Sequence, residues 1–402
     1  MKRILYMHHV SAIGGGSYCL LNILKEVDRT SIVPIVALKC DGPLRQEIEK
    51  LGIEVIFFKE MMTIPYNKPL LSVSSVKRYF YVQKSLKNFD VFLKFYAGKI
   101  DIVYLNNMML YPYLRTAKKM GLKTVMHVRE HWPKNEHKYQ MARARRYADR
   151  YVDCIVAINH FSASMFPECE ERTTIIYDSI DFSNRYEPRP LSKIFGEDVS
   201  NLKVFLFTGG GMQIKGALEV FRTFYQYLKG EEYRLLVLGE MPMPYHPTGI
   251  RMVWHGLLRA IGSERDYYKE LKIIVDNDKR IKFIPATYKI MDIFHQAYCM
   301  LSFFTIPHAN LALAEAVSLG TVAVAAKTEE AKEYTSDGKG AILFEYGNEA
   351  DFLAKIKYVQ ENYDDVKAKV KLHAEAVKQL FDPAANVAKL NGVLSSVSLL
   401  DK

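Results

Sequence analysis

Short apolar runs alternate with amphipathic stretches along almost the whole chain. Lys2 to Val10 reads as a buried strand, Gly14-Gly15-Gly16-Ser17 as a glycine loop, and Tyr18 to Val27 as a helix with Leu20, Leu21 and Leu24 on one face. Strands at Ile32–Leu38 and Ile53–Phe58 flank a helix from Arg45 to Leu51, although Pro34 argues against a central place for the first of them. Strands at Asp101–Leu105, Lys123–Met126, Cys154–Ile158 and Thr174–Tyr177 continue the alternation. The theme restarts after the polar stretch Asn184 to Pro190. A strand at Val204–Phe207, the glycines Gly209-Gly210-Gly211 and a helix from Ala217 to Leu228 are followed by strands at Arg234–Leu238, Ile250–Trp254, Lys282–Ile284, Met300–Phe304, Val322–Ala326 and Ala341–Phe344. Strands separated by helices predict parallel βαβ units, here in two consecutive α/β halves that each open strand, glycine loop, helix. Helical segments over Glu361–Leu380 and Ala385–Leu394 close the chain.

Length and composition fit that picture. The 402 residues are enough for two or three domains, and 49% hydrophobic with 25% charged residues excludes wholesale disorder or a collagen-like repeat. No apolar run approaches the roughly 18 residues needed to span a bilayer. After the basic Met1-Lys2-Arg3, the stretch Ile4 to Met7 stops at His8-His9, too short for an export signal. Five scattered cysteines with no C-x-x-C spacing argue against a disulfide framework or structural zinc, and point to a reducing cytosol. Lysine and arginine number 55 against 45 acidic residues, a formal charge of +10 that favours anionic partners: phosphates, nucleic acid or an acidic membrane surface.

The motifs narrow the chemistry. A glycine loop between strand and helix either lets a phosphate reach backbone N–H groups or is simply a tight turn. Gly14-Gly15-Gly16 lacks the dinucleotide G-x-G-x-x-G spacing, and Lys215 precedes Gly216 where a P-loop has the reverse order, so a dehydrogenase and a P-loop ATPase are disfavoured. His127-Val128-Arg129-Glu130-His131 spells H-x-x-E-H, but it follows a strand directly and reads as a strand-end loop instead of a zinc helix. Asp276-Asn277-Asp278 spells a metal-binding D-x-D, but between a helix and the strand at Lys282 it reads as a solvated turn. Glu315 stands in an otherwise apolar helix, where an unpaired carboxylate is costly. It either points outward or to a lysine, or faces a crevice at the strand ends and accepts hydrogen bonds from vicinal hydroxyls.

Taken together in their order and spacing, IGGGS, CDGPL, VMHVREHW, TIIYDSID, GGGMQIKG, LAEAVSLGTVAVA and SDGKGAILF resemble the retaining GT-B glycosyltransferases of family 4, the glycosyl transferases group 1. The resemblance spans nearly the whole chain. It implies an α/β fold of two Rossmann-like, doubly wound parallel-sheet domains facing a cleft. The N-terminal, acceptor-side domain would be 1–183, the nucleotide-sugar domain 184–372, and 373–402 a helical tail packing back on the first domain. Residue by residue it implies that Lys215 neutralises the donor diphosphate, that Glu315 binds the ribose, and that His127 contacts the donor sugar. Gly14, Gly15 and Gly16 would form the loop by the leaving phosphate, with Gly209, Gly210 and Glu240 near the nucleotide and Glu130 and Asn107 on the acceptor side. Two positions depart from the family pattern. Gly210 stands where an arginine is common, and Pro307 where the E-x7-E spacing has its first glutamate. Sugar hydroxyls would then fall to His308 and to the backbone at Ala309, Asn310 and Leu311.

The expected reaction is retaining transfer from a nucleoside diphosphate sugar, with Lys215 and loop N–H groups stabilising the leaving diphosphate, no cofactor and no metal. Lys77 to Lys99 interleaves lysines with Tyr79, Phe80, Tyr81, Phe89, Phe92, Phe95 and Tyr96, and Arg143, Arg145, Arg146 and Arg150 cluster nearby. These suit either an anionic membrane interface or a helix with its aromatics in the core. The expectation is a cytoplasmic enzyme, peripheral at the membrane, extending a lipid-linked glycan for a surface polysaccharide and having no nucleic-acid partner. The alternatives are a sugar-nucleotide-binding protein that has lost catalysis and a nucleotide-sugar epimerase of the same fold.

Overall fold

The structure is a computed structural model that describes residues 1–64, 73–132, 138–182, 190–241, 266–285 and 290–397. It divides the chain into two compact units, Met1–Asp181 with Leu380–Lys402, and Phe182–Gln379.

In unit 1 the described residues form a seven-stranded, wholly parallel sheet in the order β3-β2-β1-β4-β5-β6-β7. Its strands are β1 (Lys2–His8), β2 (Ile32–Leu38), β3 (Glu54–Phe57), β4 (Ile102–Leu105), β5 (Lys123–Val128), β6 (Cys154–Ala157) and β7 (Thr173–Ile175). The strands are apolar on both faces because both are covered. On one face Leu5, Met7, Val103, Leu105 and Met126 pack with α3 (Val73–Phe95), α4 (Tyr113–Lys119) and α5 (Lys138–Tyr151). On the other, Ile4, Tyr6, Tyr104, Val125 and Val156 pack with α1 (Gly15–Glu26), α2 (Pro43–Lys50) and the C-terminal helix discussed below. Pro34 is accommodated in an interior strand because β3 begins to pair with β2 only at Ile35, so at Pro34 the ladder has β1 as its only neighbour. The helix after the first glycine loop starts at Gly15, earlier than the apolar pattern predicts, so Gly15 and Gly16 are its first turn.

In unit 2 the described strands run parallel in the order β10-β9-β8-β11-β12-β13. They are β8 (Lys203–Phe207), β9 (Tyr233–Leu238), β10 (Ile281–Ile284), β11 (Cys299–Ser302), β12 (Ala323–Ala326) and β13 (Ile342–Phe344). The expected strand Ile250–Trp254 lies outside the described residues. Helix α6 (Ala217–Tyr227) lays Phe221 and Phe224 on the sheet against Phe207, Phe283 and Phe205. Helix α7 (Leu311–Ser318) follows β11, and α8 (Tyr363–Leu380) stays with unit 2 to Gln379.

The chain returns to unit 1 at Leu380. There α9 (Pro383–Val397) contributes Val387, Leu390, Leu394 and Val397 to the core shared with α1, and Phe381 accepts a backbone hydrogen bond from Ile180. Among the described residues no helix is long and apolar enough to cross a membrane.

Candidate functional site

A doubly wound sheet leaves a crevice where the strand order reverses, outside the carboxyl ends of the two strands that flank the reversal. In unit 1 those strands are β1 and β4, and in unit 2 they are β8 and β11. The loops that follow these four strands carry most of the residues singled out by sequence.

In unit 2 the loop after β8 is packed backbone to backbone. Gly210 has φ +54, and a Cβ there would meet the Glu240 carbonyl oxygen at 2.7 Å; Gly239, at φ +122, lies equally close to Gly210. The Gly210 N–H donates to Leu238 and the Gly211 N–H to Glu240. These two amides are therefore committed to the end of β9 and the loop after it. The same packing gives a physical reason for glycine, not arginine, at this position: no side chain fits. Gly209 has a similar role, since a Cβ would approach that of Lys215 to 2.7 Å.

Lys215 is thereby set at the carboxyl edge with its stem half-buried. Its ammonium lies 4.2 Å from the Phe304 ring centroid, and among the described residues no carboxylate pairs with it. Burial lowers its pKa to about 8. The loops after β8 and β11 are stitched together: Thr305 donates its N–H to Ile214 and its hydroxyl to Gln213, and Gly216 packs on Phe303. Phe304 itself has φ +22, a conformation costing a bulky residue about 1–3 kcal/mol, which the stitching maintains. Sequence reasoning missed Phe304. Its only signal was an aromatic residue at the end of an apolar run.

Beyond that loop, Asn310 caps α7. Its side chain accepts from the Leu313 N–H and donates to the Ser302 hydroxyl, so its amide is structural, and Ala309 and Leu311 flank it. His308 turns its Nδ1 to the Ile306 carbonyl. Glu315, in the second turn of α7, is 5% exposed. Among the described residues nothing donates to its carboxylate, and burial raises its pKa to about 8. The side chain of Glu240 is exposed after β9. Asp276 and Asn277 end the helix Tyr267–Asn277 and Asp278 is buried, so the segment is not the expected solvated turn; Asp276 pairs with Lys272 and Asp278 with Arg280 at 2.6 Å, cations of the same unit. No group of three or more histidine, cysteine or acidic residues suited to a metal occurs among the described residues.

In unit 1 the residues at the reversal form one hydrogen-bonded chain. Asn106, after β4, donates to His8 Nδ1 (3.0 Å), which fixes the proton of His8 on Nε2; that N–H reaches the Ser17 hydroxyl (3.1 Å), which donates to the Ala12 carbonyl. Burial, with His9 and Arg129 nearby, lowers the pKa of His8 to about 3, so the ring is neutral. Arg129, at the end of β5, donates from Nε to Asn106 and from its terminal nitrogens to Asp178 and His127. The Arg129–Asp178 pair is buried, and removing one partner of such a pair costs about 3–5 kcal/mol. Sequence reasoning missed this pair because its partners lie far apart along the chain, and Arg129 had been noticed only inside the H-x-x-E-H spelling.

His127 is packed inside unit 1. It lies within β5, not at its end, and is 2% exposed. Arg129 and the Tyr104 hydroxyl both donate to its Nδ1, burial holds its pKa far below the usual value, and the residue lines a cavity of about 10 Å³ with Asp178 and Leu390. His131 stacks on Phe161, on no helix shared with His127. Glu130 accepts from the Met108 and Arg129 N–H groups, and burial raises its pKa to about 7. Asn107 caps the same turn through the Met109 N–H. Gly14, Gly15 and Gly16 are exposed and open: a Cβ at Gly14 or Gly15 would meet nothing within 4 Å. Nothing inside unit 1 requires glycine there, and α1 presents an uncapped N-terminus.

Residues 197–378 match the family model for glycosyl transferases group 1, a little under half of the chain. In structure the chain is similar to HepE from Anabaena in complex with UDP and glucose (TM-score 0.74, 20% identity, 98% of this chain and 100% of that one). It is also similar to a glycosyltransferase from Rickettsia africae (0.71, 16%, 100% and 99%) and to sucrose-phosphate synthase from Thermosynechococcus elongatus (0.70, 10%, 100% of both). No curated protein matches the chain. The two parallel-sheet units are those of the GT-B fold, and with the group 1 domain in unit 2 they support a GT-B glycosyltransferase.

Proposed function

We propose that the protein transfers a sugar, with retention, from a nucleoside diphosphate sugar to a hydroxyl of a lipid-linked glycan. We place it at the cytoplasmic face of an anionic membrane, in the building of a surface polysaccharide. One observation carries the donor half of this reading: a lysine and a glutamate, both without partners among the described residues, on the two loop–helix segments that flank the strand reversal of unit 2. A half-buried unpaired ammonium and a buried unpaired carboxylate are each unfavourable alone. A diphosphate satisfies the first and a ribose diol the second. That HepE was crystallised with UDP and glucose supports a uridine nucleotide as the first to try.

As the glycosidic bond breaks, negative charge grows on the leaving diphosphate. Lys215, fixed by the Phe304 ring and by Gly209, stabilises that charge without reorganising and supplies the countercharge itself. The α6 N-terminus beside it adds partial positive charge, a role the committed amides of Gly210 and Gly211 do not share. The acceptor hydroxyl attacks on the face that the diphosphate leaves, and the diphosphate takes its proton. By the family resemblance, Gly14, Gly15 and Gly16 stand by the leaving phosphate, and Glu130 and Asn107 serve the acceptor.

The test is a thermal-shift series with UDP, other nucleoside diphosphates and their sugars, followed by product analysis. A bound diphosphate raises the melting temperature. Lys215→Ala and Glu315→Gln are each expected to abolish the UDP shift. A wild-type protein indifferent to every nucleoside diphosphate, or a Lys215→Ala variant with full turnover, refutes the reading. Binding without product from any acceptor would leave a sugar-nucleotide-binding protein, the alternative in which Gly210 and Pro307, the two departures from the family pattern, mark lost catalysis.

A further inference from the structure

Helix α3 has two faces that the sequence did not separate. Its core stripe is Val82, Ser85, Phe89 and Leu93, with Phe92 and Tyr96 beside it, packed on Phe58 and Tyr113. The opposite stripe, at three- and four-residue spacing, is Lys77, Phe80, Tyr81, Lys84, Lys87, Val91, Lys94 and Phe95. Phe80, Tyr81, Val91 and Phe95 are between 62% and 76% exposed, and Lys77, Lys84 and Lys87 are exposed among them. Only Lys94 has a carboxylate partner among the described residues, Asp90 at 2.7 Å.

The patch continues onto α5, where Arg143 lies over the ring of Tyr79 and where Tyr139, Arg146 and Arg150 are exposed. Arg145 does not belong to it, because its guanidinium is bonded to the Met165 carbonyl.

We propose that this face of α3 and the exposed side of α5 that carries Tyr139, Arg143, Arg146 and Arg150 dock the protein on an anionic bilayer, aromatic rings at the headgroup–acyl boundary and lysines among the headgroups. Large apolar side chains held in water are unfavourable, and burying them in a bilayer surface removes them from it. A row of lysines in which the helix's single acid, Asp90, is taken up by Lys94 adds attraction to anionic lipid. The same row argues against a second copy of the chain, since a self-complementary interface would set lysines against lysines. The inference deepens the lipid-linked acceptor by naming the surface that meets its membrane, and it takes only the membrane from that reading, nothing of the donor chemistry.

Flotation of the purified full chain tests it, with vesicles of phosphatidylcholine alone and of an equimolar phosphatidylcholine–phosphatidylglycerol mixture, at low and high salt, alongside the UDP thermal shift. Binding is expected only with phosphatidylglycerol and is expected to weaken with salt. The double variants Phe80→Ser/Phe95→Ser and Lys84→Glu/Lys87→Glu are each expected to lower binding roughly tenfold or more. Both alter solvent-facing residues, so their UDP shift should equal that of the wild type. Wild-type protein that does not float with phosphatidylglycerol, or variants that float like it, overturn the proposal. So does a dimer that these variants dissociate in the absence of flotation, which would give the face to a second copy. Flotation without any UDP shift would leave docking intact and sink the donor reading instead.

Discussion

A carboxylate that keeps its proton to about pH 8 is a stability probe as well as a candidate ligand-binding group. Between the usual 4.5 and about 8, folded Glu315 holds a proton that the unfolded chain has released, so this residue makes stability fall as pH rises through that window. Lys215 acts in the opposite sense higher up. Between about 8 and 10.5 the folded protein has released a proton that the unfolded chain keeps, so its contribution rises with pH. In the absence of nucleotide, Glu315→Gln should therefore melt above the wild type at pH 8, and the gap should close near pH 5, where both forms are neutral at this position. Melting curves at the two pH values decide it; a variant that melts below the wild type at pH 8 would mean that an unrecognised donor already satisfies the carboxylate. The expectation distinguishes a residue kept for a ligand from one kept for the fold, since a fold-serving glutamate would lose stability on amidation.

At the scale of elements, the two glycine loops look alike in sequence and differ in what holds them. Gly210, with φ +54 and the Glu240 carbonyl where a Cβ would go, is structural. Gly210→Ala should lower stability by about 1–3 kcal/mol from backbone strain alone. Gly15 has helical surroundings and open space, so Gly15→Ala should be neutral or stabilise by about 0.5–1 kcal/mol, while lowering turnover if a phosphate needs the space. Urea midpoints with product assays check both, and a Gly15→Ala variant with unchanged activity would remove that loop from the site. This contrast also marks what the chain made legible. The βαβ alternation was open to reading because parallel strands covered on both faces are short continuous apolar runs. So was the placing of Lys215 and Glu315 on loop–helix segments that follow strands, whereas the adjacency of those strands appears only in the sheet order. The differing roles of the glycines were not legible, because they depend on the loop after β9 coming alongside. The burial of His127 was missed because a histidine between Met126 and Val128 reads as a strand end until β6 is seen to pair beyond it. The two faces of α3 were hidden because aromatics occur all round the helix.

For the whole molecule the decisive feature is that unit 1 is built from both ends of the chain and unit 2 from the middle. Four aliphatic side chains of α9 (Val387, Leu390, Leu394 and Val397) are each at most 2% exposed in the core with α1. At about 1.5–3 kcal/mol for each buried side chain they supply roughly 6–12 kcal/mol, comparable to the entire stability of a typical domain. A chain ending at Gln379 should thus keep unit 2 and lose unit 1. Hydrogen exchange should find β8, β9 and β11 protected as before while the amides of β1, β2 and α1 exchange freely, and the UDP shift of the surviving transition should persist because Lys215 and Glu315 both belong to unit 2. Catalysis should vanish even so, since Gly14 to Gly16, Glu130 and Asn107 would have lost their scaffold. Undiminished protection of α1 in the truncated chain would show that the C-terminal helix is an accessory to unit 1 and not part of its core.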